Sequence, residues 1–347
     1  MQVITIGIDL AKSVFHVHGI DANDKVVFNK PLRRSQILPF FAKLAPCLIG
    51  MEACASAHYW ARELKMLGHG VRLMPAKDVK AYVKRNKNDS VDAAACCEAV
   101  RRPTVRTVPV KTPEQQAQLM QHRVRDLLVR QRTQSVNALR SHLAELGIVA
   151  AQGYDGVKAL LSVVADTSDA RLPENARASL SALVAQISCC QAEIAAIDKR
   201  LLVQHRESDD CKRLQTIPGI GVLGAGALIA TVPDASIFKT GRDFAAWIGI
   251  VSREDSTGGK QRLGRISKQG DRYLRRLLVF GAFAVLKQAR THPEKYPWLT
   301  QLLARKPAKV AAVALANKMA RVAWAVLTNK ETYRAQPITA TPASLGG

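Results

Sequence analysis

The stretch Val3-Ile4-Thr5-Ile6-Gly7-Ile8-Asp9, followed by Ser13-Val14-Phe15-His16-Val17-His18-Gly19-Ile20, decides how the first third of the chain is read. The first run is apolar and stops at an acid. The second alternates, with Phe15 and Val17 on one face and His16 and His18 on the other, the two-residue period of a strand. An Asp-Ala-Asn-Asp turn at 21–24 then leads into a third strand over 25–31. A helix is expected over 35–44, a fourth strand over 47–52 and a helix over 56–67. A fifth strand follows over 70–75, with helices from about 77 onward.

That order, a meander of three strands and then crossovers, is the order of a ribonuclease-H-like α/β domain. It places four carboxylates at informative positions. Asp9 ends the first strand, Glu52 ends the fourth, and Asp89 and Asp92 sit three apart at the start of a helix, within Lys87-Asn88-Asp89-Ser90-Val91-Asp92. Carboxylates gathered from separate elements repel one another unless divalent cations neutralise them, and oxygen-only sites favour Mg²⁺, with Mn²⁺ as a substitute. Two such ions would stabilise the attacking and leaving oxygens of a phosphoryl transfer. Taken singly, each acid has an ordinary reading: a strand-end Asp is usually a turn residue, and Asp89 suits a helix cap. Lys12 is read as electrostatic support for the site or as a solvated lysine, and His16 and His18 as strand-face residues.

The charge balance points to the partner. The 347 residues hold 51 Lys+Arg against 28 Asp+Glu, a formal +23. An excess of that size implies a polyanion, nucleic acid first, because neutralising phosphates releases counterions. Against a membrane, no basic amphipathic anchor is visible. The most apolar stretch, 308–327, carries Lys309, Asn317, Lys318 and Arg321 and reads as a packed helix. No signal peptide is recognisable, so a cytoplasmic, nucleoid-associated protein is expected. The seven cysteines show no C-x-x-C and no zinc spacing, and read as small buried residues.

Beyond residue 102 the character changes. Arg101-Arg102-Pro103 stops a helix, and a Pro-rich linker runs to 112. Long helices over 113–146 and 173–205 suggest an antiparallel coiled-coil hairpin, paired within or between chains. Residues 101–140, rich in basic side chains, are expected to touch phosphates. The division expected is 1–102 for the metal-binding domain, 103–210 for linker and coiled coil, 211–331 for a mainly helical basic domain, and 332–347 for a disordered tail. In the third part, Ile217-Pro218-Gly219-Ile220-Gly221 reads as a Gly turn between helices, suited to phosphate binding or simply a tight turn. Ser252-Arg253-Glu254-Asp255-Ser256-Thr257-Gly258-Gly259-Lys260 follows, with Arg262, Arg265, Ser267, Lys268, Arg272, Arg275 and Arg276 after it. A hydroxyl beside two glycines in such a patch could attack a phosphodiester, with arginines stabilising the transition state, or could merely hydrogen-bond a phosphate.

Together, Gly-Ile-Asp-x-Ala-Lys at 7–12, the Glu52 strand, Lys-Asn-Asp-x-x-Asp at 87–92, Ile-Pro-Gly-Ile-Gly at 217–221 and Ser-Thr-Gly-Gly-Lys…Arg-Ile-Ser-Lys-x-Gly at 256–270 resemble one family over nearly the whole chain. It is that of the DEDD-type insertion-sequence transposases, bridge-RNA-guided recombinases with RuvC-like and Transposase-20 domains. The resemblance implies that Asp9, Glu52, Asp89 and Asp92 hold Mg²⁺ and that a C-terminal serine forms a covalent phosphoserine intermediate, freeing a 3′ hydroxyl. It further implies a composite site in a dimer or tetramer, acids from one subunit meeting the serine of another, and an element-encoded structured RNA that pairs with target and donor DNA. In many relatives the serine directly precedes glycine, whereas here Thr257 does. The unhindered primary hydroxyl favours Ser256 as nucleophile, with Thr257 the alternative. Competing readings are a resolvase-like nuclease that uses water, and a non-catalytic nucleic-acid-binding protein.

Overall fold

In the computed structural model, residues 2–84, 88–232, 234–260 and 262–334 are described. The chain divides into two compact units, one ending at Glu114 and the other starting at Gln115. Lys87 and the tail from 335 on, both part of the expectations above, lie outside the described residues.

The first unit is built on five strands, β1 Thr5–Asp9, β2 Val14–Ile20, β3 Val26–Arg33, β4 Leu48–Glu52 and β5 Gly70–Met74. Their order across the sheet is β3-β2-β1-β4-β5. The β1–β2 and β2–β3 pairs are antiparallel, while β1–β4 and β4–β5 are parallel. The third strand runs two residues past Pro31, further than the sequence suggested. It lies at the sheet edge, where a proline without an N–H is tolerated. The helix expected over 35–44 shortens to α1 Ile37–Phe41, preceded by a 3₁₀ turn. Helices α2 Ala57–Met66, α3 Ala76–Lys80 and α4 Asp89–Val100 complete the unit.

Strand alternation sorts the side chains between two layers. Ile6, Ile8, Phe15, Val17, Ile49 and Met51 point to one side and are fully buried with Trp60 and Leu64 of α2. The other side carries α4, whose buried residues are nearly all small: Ala93, Ala95, Cys96, Cys97 and Ala99. The segment after α4 is not a free linker: Val108 N donates to Leu73 O, extending the β5 edge, and Lys111 is tied to His58 and Arg62.

In the second unit, α5 Pro113–Glu145 and α7 Glu174–Glu207 lie antiparallel within one chain. Arg125 pairs with Asp198, and ten residues further on Ser135 Oγ donates to Gln186 Oε1. Leu139 and Leu143 bury against Leu180 and Ile187, and α6 Tyr154–Ala165, which the sequence reading missed, closes that end with Leu160 and Val164. The remaining helices, α8 Asp209–Gln215, α9 Val222–Thr231, α10 Gly241–Ile248, α11 Arg272–Thr291, α12 Pro297–Arg305 and α13 Ala308–Asn329, share a second core. Both α7 and α13 are long and apolar enough to cross a membrane by length and composition. In α13, however, Ala311, Ala312, Ala316, Met319, Ala320 and Ala323 are buried in the protein's own core. Strands β6 Ser252–Glu254 and β7 Leu263–Ile266 form a separate two-stranded hairpin. Five cysteines are buried as expected, but Cys54 is half-buried and Cys189 exposed, which corrects the uniform buried reading.

Candidate active site and nucleic-acid interface

The parallel register of β1 and β4 pairs Ile8 with Met51, so the next residues, Asp9 and Glu52, end neighbouring strands side by side. Two positions before each acid, on the same face, stands a glycine. A Cβ on Gly7 would lie 2.0 Å from the Ala93 carbonyl oxygen, and one on Gly50 would lie 2.7 Å from that of Cys96. The missing side chains let the α4 backbone rest directly on the sheet beside the two acids. Asn88 caps α4 by accepting a hydrogen bond from Val91 N at 2.9 Å, so the cap is not Asp89. The helix start is also tied to the sheet through Ser90, which accepts from Asn29, itself bonded to His16.

Asp9, Glu52 and Asp92 all lie near enough to one buried thiol on α4 to act on it. Their shared neighbour Cys96, one turn after Asp92, has its thiol pushed up to about 12, first by burial and then by the negative charge of Asp9, Glu52 and Asp92. Asp89, the first residue of the helix, is solvent-exposed and is not among those three. The donor chemistry suits a hard divalent cation. Among the described residues, however, no three His, Cys, Asp or Glu side chains close round a single point as metal ligands.

The hydroxyl-bearing loop is the turn of the β6–β7 hairpin. Gly258 and Gly259 both have positive φ, 57° and 75°, and Lys260 N donates to Thr257 O at 3.1 Å, the geometry of a type I′ turn. The glycines therefore serve the turn first. A Cβ on either would meet nothing within 4 Å, so the tip is also open to an approaching strand. Ser256 and Thr257 are both exposed. Ser256 Oγ donates to Glu254 Oε1 at 3.0 Å and accepts from Arg262 N at 3.1 Å. The base of the hairpin is fixed by Ser267 N to Val251 O and Lys268 N to Gly249 O.

The basic residues fall into two groups. Lys12, Lys260, Arg262, Arg265, Lys268 and Arg272 are exposed, as is Arg253, which also donates to Ser267 O. Four others hold protein partners: Arg101 pairs with Asp24, Arg102 with Glu98, Arg275 with the Ile248 carbonyl at 2.8 Å, and Arg276 with Asp126. In the 217–221 turn, Gly219 at φ 89° packs on the Gly281 carbonyl of α11, while Gly221 at the start of α9 faces open space. The sequence reading overlooked Gly7, Gly50, Asn88 and Glu254. A glycine two residues before each strand-end acid was the available signal for the first pair.

Residues 211–297 match the family model described as Transposase IS116/IS110/IS902 family, and residues 6–148 match a transposase model of the DEDD type of IS110 elements. A "Probable family 20 transposase" of Pseudomonas aeruginosa is 48% identical over 336 residues, 96% of this chain and 99% of the relative. The transposase for insertion sequence element IS1328 of Yersinia enterocolitica is 39% identical, covering 96% and 99%. That for IS1111A of Coxiella burnetii is 37% identical, covering 95% and 91%. With relatives this similar aligned end to end, the chain belongs to the IS110 family of insertion-sequence transposases.

Proposed function

We propose that this transposase cuts and exchanges DNA strands by metal-assisted serine chemistry. The observation that carries the reading is the pairing of the strand ends Asp9 and Glu52, with α4, the helix that bears Asp92, packed on the glycine two residues before each. A ribonuclease-H-like assignment of the first unit is consistent with its strand order and with the DEDD-type match. Asp9, Glu52 and Asp92, joined by Asp89 from the exposed first turn of α4, would hold Mg²⁺ or Mn²⁺. When bound, the metal supplies charge stabilisation for a phosphoryl group in transfer. The exposed hairpin holds the scissile phosphate among Arg253, Lys260, Arg262 and Arg265, and presents Ser256 as the nucleophile. Attack forms phosphoserine and frees a 3′ hydroxyl for rejoining. The remaining elements of the reading are a homo-oligomer up to a tetramer, and a structured guide RNA that selects donor and target DNA, for which the protein's support is its +23 charge.

The test is a covalent-adduct assay. Protein co-expressed with its flanking element DNA is mixed with end-labelled element ends and Mg²⁺, and label travelling with protein is read on denaturing gels. We expect an adduct with the wild type that is lost in Ser256→Ala and in Asp9→Asn and kept in Thr257→Ala. Loss in Thr257→Ala but not in Ser256→Ala moves the nucleophile by one residue. Cleavage without adduct in every protein overturns the serine mechanism in favour of water attack. Sequencing RNA that copurifies decides the guide: a discrete structured species transcribed from the element's flank is expected, and bulk cellular RNA alone would refute it.

A further inference from the structure

A serine hydroxyl is a weak nucleophile until a base takes its proton. In the hairpin the candidate base is already in contact. Glu254 ends β6 and Ser256 lies two residues on, and their side chains meet directly. The Ser256 hydroxyl donates to Glu254 Oε1 at 3.0 Å, while the Arg262 amide donates to Ser256 Oγ at 3.1 Å. The hydroxyl hydrogen is thus aimed at the carboxylate, and one lone pair is engaged by the amide. Ser256 itself is exposed, and a Cβ on Gly258 or Gly259 beside it would meet nothing within 4 Å. Asp255 N donates to Arg262 O at 3.0 Å, which fixes the two strands on either side of Ser256. Thr257, one residue on, belongs to the tight turn itself.

We propose that Glu254 is the general base for Ser256, an inference that rests on the serine reading above. In the forward step Ser256 Oγ attacks phosphorus. Its proton passes to the Glu254 carboxylate, the Oγ–P bond forms as the P–O3′ bond breaks, and the departing 3′ oxygen takes a proton from solvent. In the rejoining step a 3′ hydroxyl attacks the phosphoserine, gives its proton to solvent, and Ser256 Oγ leaves with the proton held on Glu254. One carboxyl therefore serves as base and then as acid, and no other co-reactant is needed. The negative charge of Glu254 near a phosphodiester is offset by the other charged groups of the hairpin, where Arg253, Lys260, Arg262 and Arg265 outnumber Asp255.

The experiment compares adduct formation by the full-length wild type, Ser256→Ala, Glu254→Gln and Glu254→Asp, on the same labelled element ends with Mg²⁺, from pH 6 to 9. Glutamine keeps the shape and can accept the serine hydrogen bond but is no base. With Glu254→Gln, the adduct rate is expected to fall about 100-fold or more near pH 7 and to recover steadily as pH rises. Glu254→Asp is expected to retain part of the rate. A purely structural role would give Glu254→Gln a rate that is unchanged, or lowered equally at every pH, and either result overturns the proposal. Ser256→Ala reads the underlying mechanism separately: an adduct that survives it sinks the serine reading, whereas an adduct lost there but indifferent to Glu254→Gln sinks only the base.

Discussion

His122 shows what a single side chain contributes when its surroundings forbid a charge. It is 1% exposed on α5, against the Tyr273 hydroxyl at 3.3 Å and close to Gly226 of α9. Burial first, and then the positive charge of Arg125, push its pKa down to about 4 from 6.5. The folded protein thus binds this proton less readily than the unfolded chain does. The stability from a neutral His122 is present above pH 6.5 and is lost as pH falls from 6.5 toward 4, by roughly 3 kcal/mol in total. Thermal unfolding measured from pH 7.5 to 4.5 should therefore decline more steeply for the wild type than for His122→Gln. Parallel curves would refute it. Ser256, Glu254 and the acids belong to the same scale, since the role proposed for each depends on one or two neighbours. Of these the sequence showed the residue types and their strand-end or loop positions. It did not show the Glu254–Ser256 hydrogen bond, because an exposed Glu and a Ser two residues apart occur in loops of every kind.

At the scale of the element, α4 depends on what the sheet lacks. Its first turn carries Asp89 and Asp92, its cap is Asn88, and its small buried face rests on Gly7 and Gly50. Gly7→Ala places a Cβ against backbone atoms that cannot rotate away. A destabilisation of about 2–3 kcal/mol in urea unfolding is expected, together with loss of adduct formation as α4, which carries Asp92, is lifted from the sheet. Gly70→Ala is the control, since a Cβ there would come no closer than 3.8 Å to the Cys47 carbonyl oxygen. Equal effects at Gly7 and Gly70 would remove the packing argument. Element types and most boundaries were legible because alternation and helical spacing are local: β4, β5, α5, α7 and α13 fall within a residue or two of their expected ends. The misses have local causes as well. The helix α10 is only eight residues long, too short to show a period, and β7 carries an exposed Leu263 with no buried alternation to mark it.

For the whole molecule, the governing quantity is the +23 charge and how it is distributed. Arg253, Lys260, Arg262 and Arg265 stand exposed on one hairpin, whereas Arg275 and Arg276 are engaged with Ile248 and Asp126. Replacing hairpin arginines with alanine should flatten the dependence of log affinity on log salt by about 0.9 for each phosphate no longer neutralised, measured by fluorescence anisotropy on element DNA. Arg275→Ala should instead lower thermal stability with little change in slope. If both substitutions act alike, the two groups are not distinct. The sequence by itself determined the strands and helices, the carboxylates at strand and helix ends, the basic excess and the Gly-Gly turn, because propensity, periodicity and composition act over a few residues. Only the tertiary structure decided that β1 lies beside β4, that α4 settles on two glycines, that α5 pairs with α7 of its own chain, and that Arg275 and Arg276 are taken up by protein partners while the hairpin arginines face solvent. Those outcomes join residues far apart in sequence through packing and pairing, whose free energy exists only once the chain has closed on itself.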